Sequence, residues 1–323
     1  MKRFLSAIAM MATAYFVAAD PVAAAWPDGP IKLIVGGPAG GSSDFVARLV
    51  AQRLGDALGQ PVVVLNRPGA GGIVAVSTLL AAKPDGNTLI LFFADNFTIA
   101  PMLFKNPPYN SMKDIDYIGA VARSYPFVVC VNPSVPAQTF NDFIKMAKDS
   151  PGNVSFSTYG LGSYPHLSLE MMSTHAGVEF RHVPYKGGVE SQMAVISGDV
   201  NAVAAVNVTE FVKGGKLRPL ISGGDKRNPL FPDLPTFKEL GYGDQIFGPV
   251  IYGVAAPAGL PKEIHDRLAQ EAEKIAKAPD ATDMLAKITT EPYWATGDDV
   301  KNTLGQAIET YRPIVDRLGL QTQ

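Results

Sequence analysis

Val35-Gly36-Gly37-Pro38-Ala39-Gly40-Gly41-Ser42-Ser43-Asp44 is the stretch on which the reading of this chain turns. The apolar run Ile31–Val35 leads in and the amphipathic run Phe45–Leu58 leads out, so it reads as strand, glycine turn and helix start. Its glycines leave the backbone bare for close approach. Ser42, Ser43 and Asp44 are helix-capping residue types. The free N–H groups of a first helical turn, at the positive end of the helix dipole, favour an anion. Glycine turns of this kind also serve as plain connectors in α/β proteins, so a site needs support from a second such loop.

Working outward, strands and helices alternate. Pro61–Leu65 is a β-branched strand, Arg67-Pro68-Gly69-Ala70-Gly71-Gly72 a further glycine loop, Ile73–Lys83 a helix and Thr88–Ala94 a third strand. The continuous apolar strands predict a parallel sheet covered on both faces. The stretch 95–116 reads as irregular, and strands are expected at Tyr117–Ala122 and Phe127–Val131. Alternation then restarts with a helix at Thr139–Lys148 and a strand at Val154–Ser157. The second glycine loop follows, Gly160-Leu161-Gly162-Ser163-Tyr164-Pro165-His166, opening a helix to about Ala176. Further strands are expected at Val178–Val183, Val200–Val208 and Arg218–Ser222, with Lys186-Gly187-Gly188 opening a helix between the first two. The apolar run Phe247–Ala256 is long enough to cross back. Helices are expected at Lys262–Ala278, Asp280–Lys287 and Gly297–Leu318, with a short strand at Thr290–Trp294.

This pattern predicts two α/β domains, each with a glycine loop at a helix N-terminus, facing one another across a ligand cleft. Residues 26–122 and 250–323 form the first domain and 123–249 the second. With 323 residues, the chain exceeds most single cores and suits two. The net charge of −2 gives no reason to expect nucleic acid or an anionic membrane as partner. Residues 1–25 read as an export signal: basic Met1-Lys2-Arg3, an apolar run, then an Ala-x-Ala cleavage site before Trp26. A single cysteine, Cys130, allows no internal disulfide and reads as a small core residue. An exported chain with no membrane span after its signal is expected in the bacterial periplasm.

The segments Pro38–Asp44, Val64–Gly72, Lys83-Pro84-Asp85-Gly86, Gly160–Ser163 with His166-Leu167, Val183–Gly187, Pro235-Thr236 and Ala256–Gly259, in this order, resemble the extracytoplasmic solute-binding receptors of tripartite tricarboxylate transporters, the Bordetella uptake gene family. The resemblance spans essentially the whole chain after the signal. It implies a Venus-flytrap fold of the type II periplasmic binding protein class, no cofactor or metal, and integral membrane transporter subunits as partners. It also implies that a ligand carboxylate is held by backbone amides and hydroxyls of two loops. Carried over by position, these give Ala39, Gly40, Gly41 and Ser42 in the first loop and Gly162, Ser163 and His166 in the second. Asp95 and Asn96 follow from the end of the third strand, and Lys186 from the turn near the cleft. The chain departs from the family where Gly36-Gly37 replaces a Pro-Phe pair, where Ala204-Ala205 replaces an acid or glycine, and where Ile251 replaces a tryptophan. These departures predict a ligand larger or more apolar than a C4 dicarboxylate, with Ala205 in the pocket wall. Tyr164, ahead of Tyr159, is expected to replace the missing aromatic wall.

Blander accounts stand beside these. Ser163 and His166 have the spacing of a nucleophile pair, which would make a periplasmic hydrolase, but no orienting acid is legible; Ser163 capping the helix with His166 packed in its first turn accounts for them better. His175 and His182 lack zinc-ligand spacing. Arg67 is expected to tie down its own loop, and Gly69–Gly72 lacks the Gly-Lys-Ser/Thr of a phosphate loop. Asp95 is read as a contact for a ligand amine or water, or as a turn cap. Lys186 is read as a carboxylate partner or a solvated loop charge. The expected role is capture of a small carboxylated metabolite, aliphatic or aromatic, by a monomeric receptor for a transporter. A receptor feeding a signalling kinase would look the same in sequence.

Overall fold

The computed structural model describes residues 26–243 and 245–321. The expected export signal, residues 1–25, lies outside the described residues. The chain runs β1 (Ile31–Val35), α1 (Ser42–Leu58), β2 (Val62–Asn66), α2 (Ile73–Leu80), β3 (Thr88–Phe93), α3 (Ile99–Met102), β4 (Ile115–Ser124) and β5 (Val128–Val131). It continues with α4 (Phe140–Asp149), β6 (Ser155–Thr158), α5 (Tyr164–Ala176), β7 (Arg181–Pro184), α6 (Gly188–Ser197), β8 (Ala202–Ala205), α7 (Thr209–Lys213) and β9 (Arg218–Ser222). The last elements are β10 (Ile251–Pro257), α8 (Lys262–Ala276), α9 (Ala281–Ala286), β11 (Thr290–Thr296) and α10 (Gly297–Leu318).

Local chemistry sets the element ends. Gly59 closes α1 in the left-handed conformation at φ 68°, where a side chain would be strained. Thr139 and Asp142 make a reciprocal capping box at the start of α4. The stretch expected to be irregular holds a single 3₁₀ turn, Ala94–Asn96, and the short α3.

Two sheets organise the chain. The first has strand order β11-β4-β10-β3-β1-β2 and the second β7-β6-β8-β5-β9. The expectation of all-parallel strands is corrected. β1 pairs parallel with β2 and β3, and β6 parallel with β7 and β8. β10 is antiparallel to β3 and β4, and β5 antiparallel to β8 and β9. The reason is topological: β4 leaves the first sheet for the second, and β10 brings the chain back beside it in the opposite sense. The parallel neighbours are joined through helices, whereas β4 passes directly into β5 of the other sheet.

Each sheet is buried on both faces. In the first, Leu33, Val46, Leu54 and Leu268 pack on one side and Val76, Leu79, Phe97 and Leu304 on the other. In the second, Phe143, Phe156, Leu167 and Phe247 form one face and Val128, Val195 and Leu217 the other. Phe156 and Phe247 are fully buried and stack at 5.9 Å; burying one such ring contributes about 1.5–3 kcal/mol. Cys130 lies in this core with no exposure, and burial pushes its thiol far above the usual range. Among the described residues no helix is long and apolar enough to cross a membrane.

One element serves both halves. Val300 and Leu304, early in α10, pack against the first sheet, while Tyr311 and Val315 join the core of the second. Arg317 of α10 also pairs with Glu170 of α5 at 2.9 Å.

Candidate ligand-binding cleft

In open α/β sheets ligands gather beyond the carboxyl ends of parallel strands. Here β1 delivers Gly37 and the Gly41–Ser43 turn, β3 delivers Phe93 and Asp95, β6 delivers Tyr159, and β8 delivers Ala204–Asn207. These segments, with Phe127, Val250, Tyr252 and the start of α6, enclose a cavity of about 520 Å³. That is within the range of small-molecule sites, and its walls are largely apolar and aromatic.

Two helix N-termini enter this cavity. At α1, Gly41, Ser42 and Ser43 line it; at α6, Gly188, Val189, Ser191 and Gln192 do. Neither N-cap, Gly41 or Gly187, is closed by a side-chain hydrogen bond. The first-turn N–H groups and the dipoles of both helices therefore favour an anion between them. A Cβ at Gly37 would stand 2.3 Å from Ser43 Oγ, so a side chain there would make the serine hydroxyl turn away.

The first loop is held from behind. Asp44, 3% exposed, accepts hydrogen bonds from the Gly40 N–H (2.9 Å), Arg48 Nε (2.9 Å) and Asn66 Nδ2 (3.0 Å). The Arg48 guanidinium, opposed by desolvation and helped by the Gly40 and Asn66 donors, holds the Asp44 carboxyl at about 2. Asn66 also donates to the Gly37 carbonyl at 3.1 Å, tying β2 to the turn. Arg67 beside it is exposed and donates to the neighbouring Asn66 carbonyl.

The sequence-expected site residues fall into groups. Gly41, Ser42, Asp95 and Ala205 line the cavity. Ala39 and Gly40 are exposed on the outer side of the same turn. Asn96 is fully buried beneath it, donating to the Gly71 carbonyl at 2.8 Å and occupying the space that a Gly72 Cβ would need. Lys186 is exposed and its backbone N–H donates to Glu190 at 3.1 Å. The second loop stands outside the cavity wall. Gly162 lies under Leu103, Ser163 Oγ donates to the Gly160 carbonyl at 2.7 Å, and His166 Nδ1 accepts from the Gly162 N–H at 3.0 Å. Ser163 is the N-cap by position, but its hydroxyl makes no capping bond.

Tyr164 is 7% exposed and donates to the Gln245 and Gly248 carbonyls, each at 3.2 Å. It borders a second, smaller cavity of about 200 Å³ that also reaches Ile251. Tyr159 is the tyrosine in the main wall, the reverse of the expected preference, because β6 ends one turn before α5 and aims its last residues at the cleft. Likewise the main-wall residues of β10 and its approach are Val250 and Tyr252, not Ile251: alternate strand residues face opposite ways. Phe93, Phe127, Gln192 and Asn207 were not legible as wall residues. The strand-end rule would have found Phe93 and Asn207; Phe127 and Gln192 needed the fold.

His166 is 4% exposed and stacks on His182, ring centroids 4.0 Å apart. Burial holds both imidazoles down at about 4, with the neighbouring His166 also lowering His182. With Ser163 Oγ and His166 Nδ1 both engaged with loop backbone, the pair has no nucleophile–base hydrogen bond. Among the described residues no group of three or more His, Cys, Asp or Glu could hold a metal ion.

Two α/β lobes about a cleft that offers two helix N-termini and no basic side chain define a solute receptor of the periplasmic binding protein class. Residues 46–320 match the family described as tripartite tricarboxylate transporter family receptor, and the chain belongs to it. A UPF0065 protein of Cupriavidus necator is 34% identical over 91% of this chain and 89% of that protein. Protein BugT of Bordetella pertussis is 31% identical over 99% and 98% of the two chains. The solved structure of R. palustris Rpa4515 with adipate is similar with a TM-score of 0.76, at 29% identity over 91% of this chain and 98% of that one. The family consists of receptors, and this chain is a receptor and not an enzyme.

Proposed function

We propose that this chain is a periplasmic receptor, exported by residues 1–25, that captures a small carboxylated metabolite and hands it to the integral membrane subunits of a tripartite tricarboxylate-type transporter. The observation that carries this reading is the paired N-termini of α1 and α6 at one cavity, whose lining side chains among the described residues include no lysine, arginine or histidine. A carboxylate there is held by backbone dipoles and hydroxyls. Gly41, Ser42 and Gly188 are the proposed carboxylate contacts, and Tyr159, Tyr252 and Ala205 the proposed walls. Residues 26–122 with 250–323 and residues 123–249 are the proposed domains, with α10 bridging them. A ligand that bridges both lobes stabilises the closed form, which the transporter subunits recognise. The receptor works as a monomer.

The test is thermal unfolding of the mature chain against a panel of aliphatic and aromatic carboxylates. A ligand at 100 times its dissociation constant adds about 2.7 kcal/mol, a shift of a few degrees in Tm. A panel of carboxylates that leaves Tm unmoved throughout would sink the carboxylate reading. Adipate, the acid carried by the R. palustris relative, is a natural first member.

A further inference from the structure

Among the described residues the wall of the main cavity carries a single carboxyl group, Asp95, in the 3₁₀ turn that ends β3. It borders both the main cavity and the smaller one behind it. Among the described residues nothing donates a hydrogen bond to its side chain and no cation pairs with it. The two carboxylates that are most buried elsewhere are treated differently: Asp44 is clamped by Arg48, and Glu271 by Arg267 and Lys274. The groups facing Asp95 are tyrosines from four elements: Tyr159 after β6, Tyr164 on α5, Tyr252 on β10 and Tyr311 on α10. Burial is the largest cause that pushes all four phenols up, and the charge of Asp95 adds to it at each, so none of them titrates near neutrality. The Tyr164 hydroxyl is already spent on two carbonyls.

We propose that Asp95 receives an ammonium group of the ligand, so that the cargo is an amino acid or a related amino-carboxylic acid. This deepens the receptor reading above and rests on it. The cleft is dipolar: the ends of α1 and α6 favour a negative group, while Asp95 favours a positive one. The aromatic faces of Phe93, Tyr159 and Tyr252 lie in the same wall and also attract a cation. A second carboxylate beside Asp95 is tolerated only while Asp95 stays protonated, and gains no attraction from it.

Desolvation raises the Asp95 carboxyl to about 7. An ammonium partner lowers it again. Binding of an amino acid near pH 6 therefore expels a proton, whereas binding of a dicarboxylate leaves Asp95, already mostly protonated at that pH, nearly unchanged.

The experiment is calorimetric titration of the receptor at pH 6 in buffers of different ionisation enthalpy. The probes are phenylalanine, leucine, 4-aminobutyrate and 5-aminopentanoate. Each is set beside the acid in which the amine is hydrogen (3-phenylpropanoate, 4-methylpentanoate, butyrate, pentanoate), with glutarate and adipate as dicarboxylates. At least one amino acid is expected to bind tenfold or more tightly than its matched acid and to release a proton, and Asp95→Asn to narrow that ratio below threefold. The proton release in the unmutated receptor stands as evidence even if the variant folds poorly. The proposal is overturned if plain or dicarboxylic acids bind more tightly than their amine counterparts, if the amine preference survives Asp95→Asn, or if no amino acid binds. In those cases, binding of any acid keeps the carboxylate-receptor reading, and binding of none removes both.

Discussion

The loops before α1 and α5 use the same device with opposite results. In each, the third helical residue reaches back to the amide preceding the N-cap: Asp44 to Gly40 at 2.9 Å, and His166 to Gly162 at 3.0 Å. Before α1 the acceptor is a carboxylate secured from the protein side by Arg48 and Asn66, and the helix end is left open to the cleft. Before α5 the acceptor is a neutral imidazole stacked on a second one, Ser163 turns back on Gly160, and Leu103 covers Gly162. A glycine loop at a helix start thus becomes a binding edge only when its own side chains leave the last N–H groups unspent and no neighbour covers them.

The largest expected effect separates the two loops by pH. His166 is neutral in the fold because burial lowers it from 6.5 to about 4, so the unfolded chain binds more protons between those values. Its contribution is fully present above about pH 6.5 and is lost as pH falls towards 4, by about 3 kcal/mol from His166 alone. Asp44, lowered from 3.8 to about 2, loses its contribution only between those lower values. Urea midpoints measured from pH 7.5 to 4 should fall steeply in wild type and less in His166→Gln; equal slopes would break the contrast.

Next in size is Asp44→Asn, expected to cost about 2 kcal/mol at pH 7 by urea unfolding, with the gap to wild type closing as pH approaches 2. An undiminished gap at pH 3 would mean that charge is not what holds the first loop. Third, Gly162→Ala is expected to lose about 2 kcal/mol, since its φ is +70° and a Cβ would stand 2.8 Å from Leu103. Gly41→Ala has φ −79° and one tight neighbour, the Pro38 carbonyl at 3.3 Å, which needs to give by only a few tenths of an ångström, so its cost should stay under about 1 kcal/mol. Similar melting temperatures for the two would refute the difference in crowding. The smallest effect sharpens the functional side. Ser42→Ala should weaken a bound carboxylate by about tenfold, near 1.4 kcal/mol, while Ser163→Ala should change affinity less than about twofold. A larger loss at Ser163 would return the second loop to the site.

Much of this molecule was legible as written. The glycine turn at 36–41, the capping residues and the apolar strands place α1, β1 and β3 within a residue or two, because these are local consequences of backbone freedom, capping chemistry and hydrophobic period. Strand direction was not legible at β5 and β10, since pairing sense depends on which sheet the chain enters. The site was legible where it depends on the end of a strand: Gly41, Ser42, Asp95 and Ala205 all follow or close one. It was not legible where it depends on what covers a loop, and so Gly162, Ser163 and His166 sit apart from the cavity while the start of α6 lines it.

The sequence by itself determined the elements, the two-lobed α/β plan, the family and the presence of anion-favouring helix ends. Each of these follows from residues within one turn or strand of each other, or from motifs in fixed order. Only the tertiary structure decided which helix ends stay open, that Tyr159 and Tyr252 form the wall, that α10 spans both cores, and that Asp95 faces the cleft without a partner among the described residues. Those outcomes rest on contacts between residues far apart in the chain, such as Leu103 on Gly162, which no local pattern encodes.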